Sequence, residues 1–321
     1  MKHLISAADV SEELFFLIYS VSSSLKNLLR KGEKKFSALR GKCVVNLFFE
    51  PSTRTRSSFE KAGKFLSADV INITASASSV KKGESLIDTL KNLDMMHPDV
   101  VVLRHPCEGA PDVVKERINA SVVNAGDGRR EHPTQALLDA VMLVERLGTL
   151  KGKRITIMGD IVNSRVARSD ALLFRKLGAE VYVYGPSPML PRFPEAIGVK
   201  KLFSFEEVAE ISDVIILLRI QLERQNAKKV FPSLREYAEL FGMNKSRLLK
   251  LKPETVILHP GPFNRGVELN NDVVSSERSL IFSQVETGLA VRMVVLALLC
   301  GRLERLVEEM KGKGERLEVI E

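Results

Sequence analysis

The run CVVNLFFEPSTRTRSSFEKAGKFL, residues 43–66, is the stretch from which the rest of the chain is read. Its first seven residues are apolar and β-rich, the run stops at Pro51, and a helical pattern begins at once. Ser52 and Thr53 stand at the handover, followed by Arg54 and Arg56. Small hydroxyls before a helix are ordinary capping residues. Arginines in the first turn are not, because the N-terminus of a helix already carries partial positive charge. Free N–H groups, hydroxyl donors and a planar guanidinium together suit a phosphate, so the turn reads as an anion site.

Outward from this stretch the same alternation repeats. Strands are expected at 43–49, 69–74, 99–105 and 121–126, separated by helical patterns, and a long helix follows at 133–148. After the polar joint LKGKR, a second series of strands is expected at 154–160, 180–186, 213–220 and 255–261. These are continuous apolar runs, as in parallel strands covered on both faces. Two βα series imply an α/β chain of two doubly wound parallel-sheet domains joined by long helices. The boundary is expected near 133–152. The first domain would be residues 1–140, with a single C-terminal helix at 283–310 packing back on it. The second would be 141–290.

Ligands of open parallel sheets bind beyond the carboxyl ends of the strands. Those ends read PSTRTR, RHP and GDGRREHPTQ in the first series, and GDIVNSR, RIQ and HPGPFNR in the second. Loops are ordinarily rich in Asp, Asn, Ser and Gly; these carry Arg, His and Gln, so each domain is expected to present a cationic, hydrogen-bonding rim. Four of the five histidines precede a proline, which favours an extended conformation for each.

Composition narrows the classes. The chain has 321 residues, 27% charged and 45% hydrophobic, with a net charge of +8. A basic balance suits nucleic acid or small polyanions. Nucleic acid is disfavoured because Trp is absent and no basic block is interleaved with aromatics. A membrane role is disfavoured because the most apolar late stretch, GLAVRMVVLALLC, is short and interrupted by Arg292. Cys43, Cys107 and Cys300 are isolated, without CxxC or zinc spacing, and are expected to be buried small apolar groups of a cytoplasmic protein. There is no GxGxxG, no GxxxxGK[ST] and no GxSxG, which argues against a dinucleotide fingerprint, a P-loop and a serine hydrolase. Singly, Arg104, His132, Gln135, Arg165, Arg219 and Lys82 each have a dull reading as solvated or structural residues; their places at consecutive strand ends and loops set them apart.

The set FFEPSTRTRSSFE, SSVKKGES, LRHP, GDGRREHPTQALLD, GDI-x-x-SR, RIQLER and HPGPFNRG resembles the catalytic chain of the aspartate carbamoyltransferases. The resemblance spans residues 48 to about 292. It implies transfer of a carbamoyl group from carbamoyl phosphate to L-aspartate, in de novo pyrimidine synthesis. It implies that Ser52, Thr53, Arg54 and Thr55, with Arg104, hold the phosphate. Thr55, Arg104 and His132 would donate to the carbonyl oxygen, and Gln135 with the backbone around Gly261 and Pro262 would accept from the carbamoyl NH2. Arg165, Arg219 and Gln221 would bind the aspartate carboxylates. Lys82, with Ser78 beside it, would enter the site from the adjacent subunit of a homotrimer. No metal or nucleotide cofactor is implied. Regulatory chains or a dihydroorotase are the further partners that the resemblance leaves open, and HPGPFNRGVEL is closer to forms that associate with dihydroorotase. The first rival is ornithine carbamoyltransferase, which typically has Cys in place of Thr134 and a HCLP turn in place of HPGP. The second is a non-catalytic homologue, which usually loses the phosphate arginine or the loop lysine.

Overall fold

The computed structural model describes residues 1–74, 85–221 and 233–315. The chain divides into two compact units, Met1–Val141 with Glu286–Glu321, and Met142–Val285.

The first unit opens with α1 (Glu12–Arg30), whose N-cap Ser11 accepts a bond from the Leu14 N–H. There follow β1 (Cys43–Phe48), α2 (Thr53–Phe65), β2 (Asp69–Thr74), α3 (Leu86–Asp94), β3 (Val100–His105), α4 (Ala110–Lys115) and β4 (Ser121–Asp127). The sheet order is β2-β1-β3-β4, parallel throughout. Val45, Leu47, Val101, Leu103 and Val122 pack on one core with Leu90 and Leu93 of α3 and Val114 of α4. Truncating one of these buried leucines to alanine would cost about 2–5 kcal/mol, transfer and cavity together. The chain lays β2 on one side of β1 and then places β3 and β4 on the other, so the strand order reverses between β1 and β3.

The long helix α5 (Pro133–Leu147) carries the chain across the division. The second unit then runs β5 (Arg154–Met158), α6 (Arg165–Lys176), β6 (Glu180–Tyr184), β7 (Lys200–Lys201), α7 (Phe205–Ile211), β8 (Val214–Leu217), α8 (Leu234–Leu240), α9 (Lys245–Lys250), β9 (Val256–Leu258) and α10 (Asn271–Val274). Its sheet is β7-β6-β5-β8-β9, again parallel, and reverses between β5 and β8. Ile215, Leu217 and Ile257 meet Phe205, Val208 and Val273 in its core. Two parallel sheets, each wound outward in both directions, give the α/β class read from the alternation of apolar runs. α11 (Ser283–Leu299) and α12 (Leu303–Gly312) complete the chain.

Several expectations are corrected. The C-terminal helix is not continuous over 283–310. Gly301 takes a left-handed φ of +63°, its N–H reaches the Leu298 carbonyl, and the Arg302 N–H reaches that of Ala297. That is a Schellman stop, which a glycine accepts without a Cβ penalty. β2 is an exposed edge strand rather than one covered on both faces. β7 was not anticipated, because two lysines give no strand pattern. His97 has φ +52° rather than an extended conformation. Cys107 is exposed, and Cys43 and Cys300 are only partly buried. No described helix is long and apolar enough to cross a membrane.

Candidate active site

The turn after β1 departs from the usual helix start. Ser85, Ser164, Ser204 and Ser233 each cap a helix by accepting a bond from the backbone N–H three residues on. Ser52 has φ and ψ of −160° and 86°, outside the extended conformation of those four caps, and its side chain makes no capping bond. The first turn of α2 has no acidic residue either. Thr53 and Arg54 are exposed, Ser52 is half-buried, and Thr55 is buried. The Ser52 hydroxyl is thus not spent on capping, at a helix end whose field favours an anion.

Neighbouring strands bring two more groups to the same edge of this sheet. Phe48 of β1 lies in register with Arg104 of β3. The Arg104 guanidinium pairs with Glu50 at 3.4 Å and donates to the Ala125 carbonyl at 3.2 Å, which fixes its direction. After β4 the turn is built around Asp127, fully buried, which accepts from the N–H groups of Gly109 and Glu131 at 2.8 and 3.0 Å. His132 leaves that turn 5% exposed, and its carbonyl accepts the N–H groups of Gln135 and Ala136 at the start of α5. Gln135 Nε2 lies 3.2 and 3.1 Å from the two oxygens of Asp139, one helical turn on. With its amide donor so engaged, Gln135 has its carbonyl oxygen to offer as an acceptor. The fold therefore gathers Ser52, Thr53, Arg54, Thr55, Arg104, His132 and Gln135 at the carboxyl ends of β1, β3 and β4. The first four and Arg104 stand at the point where the strand order reverses, the usual place for a ligand in such sheets.

The second unit builds its own cluster at its own reversal. Arg165, 3% exposed, opens α6 after β5. Arg219 and Gln221 follow β8, and within that turn Arg219 donates to Gln221 Oε1 at 3.2 Å and to the Ile220 carbonyl at 3.3 Å. Two carboxylates grip the turn from behind. Asp160 accepts the Gln221 N–H at 3.1 Å, and Glu268 accepts the Ile220 N–H at 3.3 Å. Glu268 also accepts from the Asn264 backbone and side chain, tying the turn to the HPGPFNRG loop. Burial raises the Glu268 carboxyl above its ordinary range, against the pull of those backbone donors. In that loop His259 is buried, its N–H donates to Gln284 at 3.0 Å, and its Nδ1 accepts from Gly261 at 2.8 Å. Gly261 has φ +60°, a conformation for which glycine is the natural residue, and the Gly261–Pro262 bond is cis.

Lys82 and Ser78 lie outside the described residues. Sequence reasoning did not single out Glu50, Asp127, Asp139, Asp160 or Glu268, the acidic groups that hold the cationic and amide ones. Only Asp139 left a local signal, four residues after Gln135 on one helix face.

Two family models divide the chain between them. The carbamoyl-P binding domain of aspartate/ornithine carbamoyltransferase matches residues 2–145, and the Asp/Orn binding domain matches residues 151–299. The chain belongs to the aspartate/ornithine carbamoyltransferase family. Among curated members it is similar to the aspartate carbamoyltransferase catalytic subunit of Anaeromyxobacter sp. (strain Fw109-5), 52% identical over 94% of this chain and 95% of that one. The catalytic subunit of Cytophaga hutchinsonii is 50% identical over 94% and 98%. Among solved carbamoyltransferase structures, the aspartate transcarbamoylase of Trypanosoma cruzi in complex with carbamoyl phosphate and aspartate superposes with a TM-score of 0.84, at 30% identity over 92% of this chain and 95% of that one. The catalytic subunit of M. jannaschii aspartate transcarbamoylase gives 0.82 at 34% identity, over 95% and 99%.

Proposed function

We infer that the protein transfers the carbamoyl group of carbamoyl phosphate to the amino group of L-aspartate, giving N-carbamoyl-L-aspartate and phosphate. The observation that carries the reading is the pair of cationic clusters, one at the strand-order reversal of each sheet. The first suits a phosphate. The second, with Arg165, Arg219 and Gln221, suits an acceptor bearing two carboxylates. An ornithine side chain is cationic and would be repelled by two arginines, so the ornithine alternative is not favoured; Thr134 and the HPGP turn agree with that.

On this reading residues 1–140 with the C-terminal helices bind carbamoyl phosphate, and residues 141–290 bind aspartate. Ser52, Thr53, Arg54 and Thr55 receive the phosphate, and Arg104 reaches it from β3. Charge-assisted bonds of this kind contribute roughly 1.5–3 kcal/mol each. The aspartate amine attacks the carbamoyl carbon and forms the C–N bond. The carbonyl oxygen takes up negative charge, which Thr55, Arg104 and His132 stabilise as an oxyanion hole. The C–O bond to phosphate then breaks, phosphate departs with the bonding pair, and the proton lost by the amine passes to the departing phosphate. Gln135 accepts from the carbamoyl NH2, as do the backbone carbonyls near Gly261 and Pro262. Positioning and electrostatics supply the catalysis, without a cofactor.

We infer further a cytoplasmic homotrimer acting in de novo pyrimidine synthesis, with Lys82 of one subunit completing a neighbour's site. β2 supports this: it is an exposed sheet edge, with Ile71 44% exposed, and it leads directly into the segment that carries Lys82. Binding of N-(phosphonacetyl)-L-aspartate, which joins both substrates' anionic groups in one molecule, tests the two-cluster reading. Calorimetry should give one site per chain, far tighter than phosphate or aspartate alone. Affinity no better than that of phosphate would reject the second cluster as the acceptor site.

A further inference from the structure

Behind the carbamoyl-phosphate cluster lies a buried charged layer that the mechanism above does not use. Asp139 on α5 is fully buried and receives the Gln135 amide at 3.1–3.2 Å. Arg292 on α11 is 5% exposed, donates to Ser58 Oγ of α2 at 2.9 Å and lies over the Phe59 ring at 5.3 Å. Ser58 and Phe59 sit one turn beyond Arg54 and Thr55 on the same helix. A Cβ at residue 288 would stand 2.9 Å from the Arg292 guanidinium and 3.0 Å from Leu138, so the glycine there makes room for the cation. Burial pushes the Arg292 guanidinium down to about 10; Asp139 opposes that fall and Arg54 adds to it.

We propose that Asp139 is a positioning residue for carbamoyl transfer: it holds the Gln135 amide so that the carbonyl oxygen faces the carbamoyl NH2. A glutamine amide presents donor and acceptor at nearly the same place, and an unrestrained one turns over freely. A carboxylate accepts only, so it admits one orientation of the amide. The proposal rests on the reading that Gln135 accepts from the carbamoyl NH2.

The test compares two ligands that differ in the carbamoyl group. In Asp139→Asn the restraint is lost with little change of shape. Its KM for carbamoyl phosphate should rise about tenfold, the worth of roughly one hydrogen bond. Its affinity for inorganic phosphate, which has no NH2, should stay within about twofold, since such a difference is under 0.5 kcal/mol. A general loosening of the fold would weaken both ligands equally and would overturn the proposal. The combined Asp139→Asn, Arg292→Met variant removes two charges buried in this layer and so separates the loss from the cost of burying charge; it should show the same selective loss. A double-mutant cycle with Gln135→Met completes the test. If Asp139 acts through Gln135, the Asp139→Asn effect disappears in the Gln135→Met background, and full additivity overturns the proposal. Failure of the underlying reading looks different: Gln135→Met alone would leave the KM for carbamoyl phosphate unchanged.

Discussion

Arg54 stands in the first turn of a helix, where its charge opposes the helix dipole and no acidic neighbour in that turn relieves it. An exposed cation so placed adds little to folding. Arg54→Ala should lower turnover by about a hundredfold or more, in line with loss of a transition-state anion donor. Its thermal unfolding should stay within about 0.5 kcal/mol of the parent, as for surface substitutions. Near-parental turnover would remove the phosphate from this turn. Arg219 tests the other ligand. In Arg219→Ala the KM for aspartate should rise at least tenfold, with carbamoyl phosphate binding by calorimetry unchanged; the reverse pattern would exchange the roles assigned to the two units. The cationic members of both clusters were legible in the sequence because arginine, histidine and glutamine are out of place at strand ends. Their acidic holders were not, since Asp160 and Glu268 reach the Arg219–Gln221 turn from 61 and 48 residues away.

Gly301 ends α11 with φ +63°, and a Cβ there would meet nothing within 4 Å. Gly301→Ala therefore costs only the strained backbone, about 1 kcal/mol, seen as a lowered melting temperature with activity intact. No destabilisation would mean that the helix does not stop there. At the other end of α11, Arg30 of α1 grips Glu286 through two bonds of 2.7 and 2.6 Å. Those bonds hold the Glu286 carboxyl below its ordinary range. A depressed carboxylate stabilises the fold above its unfolded pKa and loses that contribution as pH falls through the folded value. Glu286→Gln should thus be less stable than the parent at neutral pH, by no more than about 0.5 kcal/mol because both partners are partly exposed, and the gap should close as the pH drops below about 4. A gap that widened in acid would contradict the pairing. Seven of the described strands were readable because buried parallel strands are uninterrupted apolar runs, and the exposed β2 because Val70, Ile71, Ile73 and Thr74 are β-branched, while Lys200–Lys201 gave no such signal. The break at Gly301 was hidden because one glycine inside an apolar helical run carries no period of its own.

At the scale of the whole molecule, the chain carries a net charge of +8, and a cationic cluster stands at the reversal point of each sheet. The α/β class could be read from the alternation of runs alone. The shared site of the proposed trimer is open to complementation. Arg54→Ala and Lys82→Ala, each inactive alone, should regain activity when mixed under conditions of subunit exchange, because some sites then pair an intact Arg54 with an intact Lys82. No recovery after demonstrated exchange would reject sharing in trans. The most direct measurement of the central claim is product formation from labelled carbamoyl phosphate by the purified protein, with aspartate or ornithine as acceptor. The account requires labelled N-carbamoyl-L-aspartate with stoichiometric phosphate, lost in Arg54→Ala, and negligible labelled citrulline. Citrulline as the main product, or no carbamoylated product from either acceptor, would contradict it.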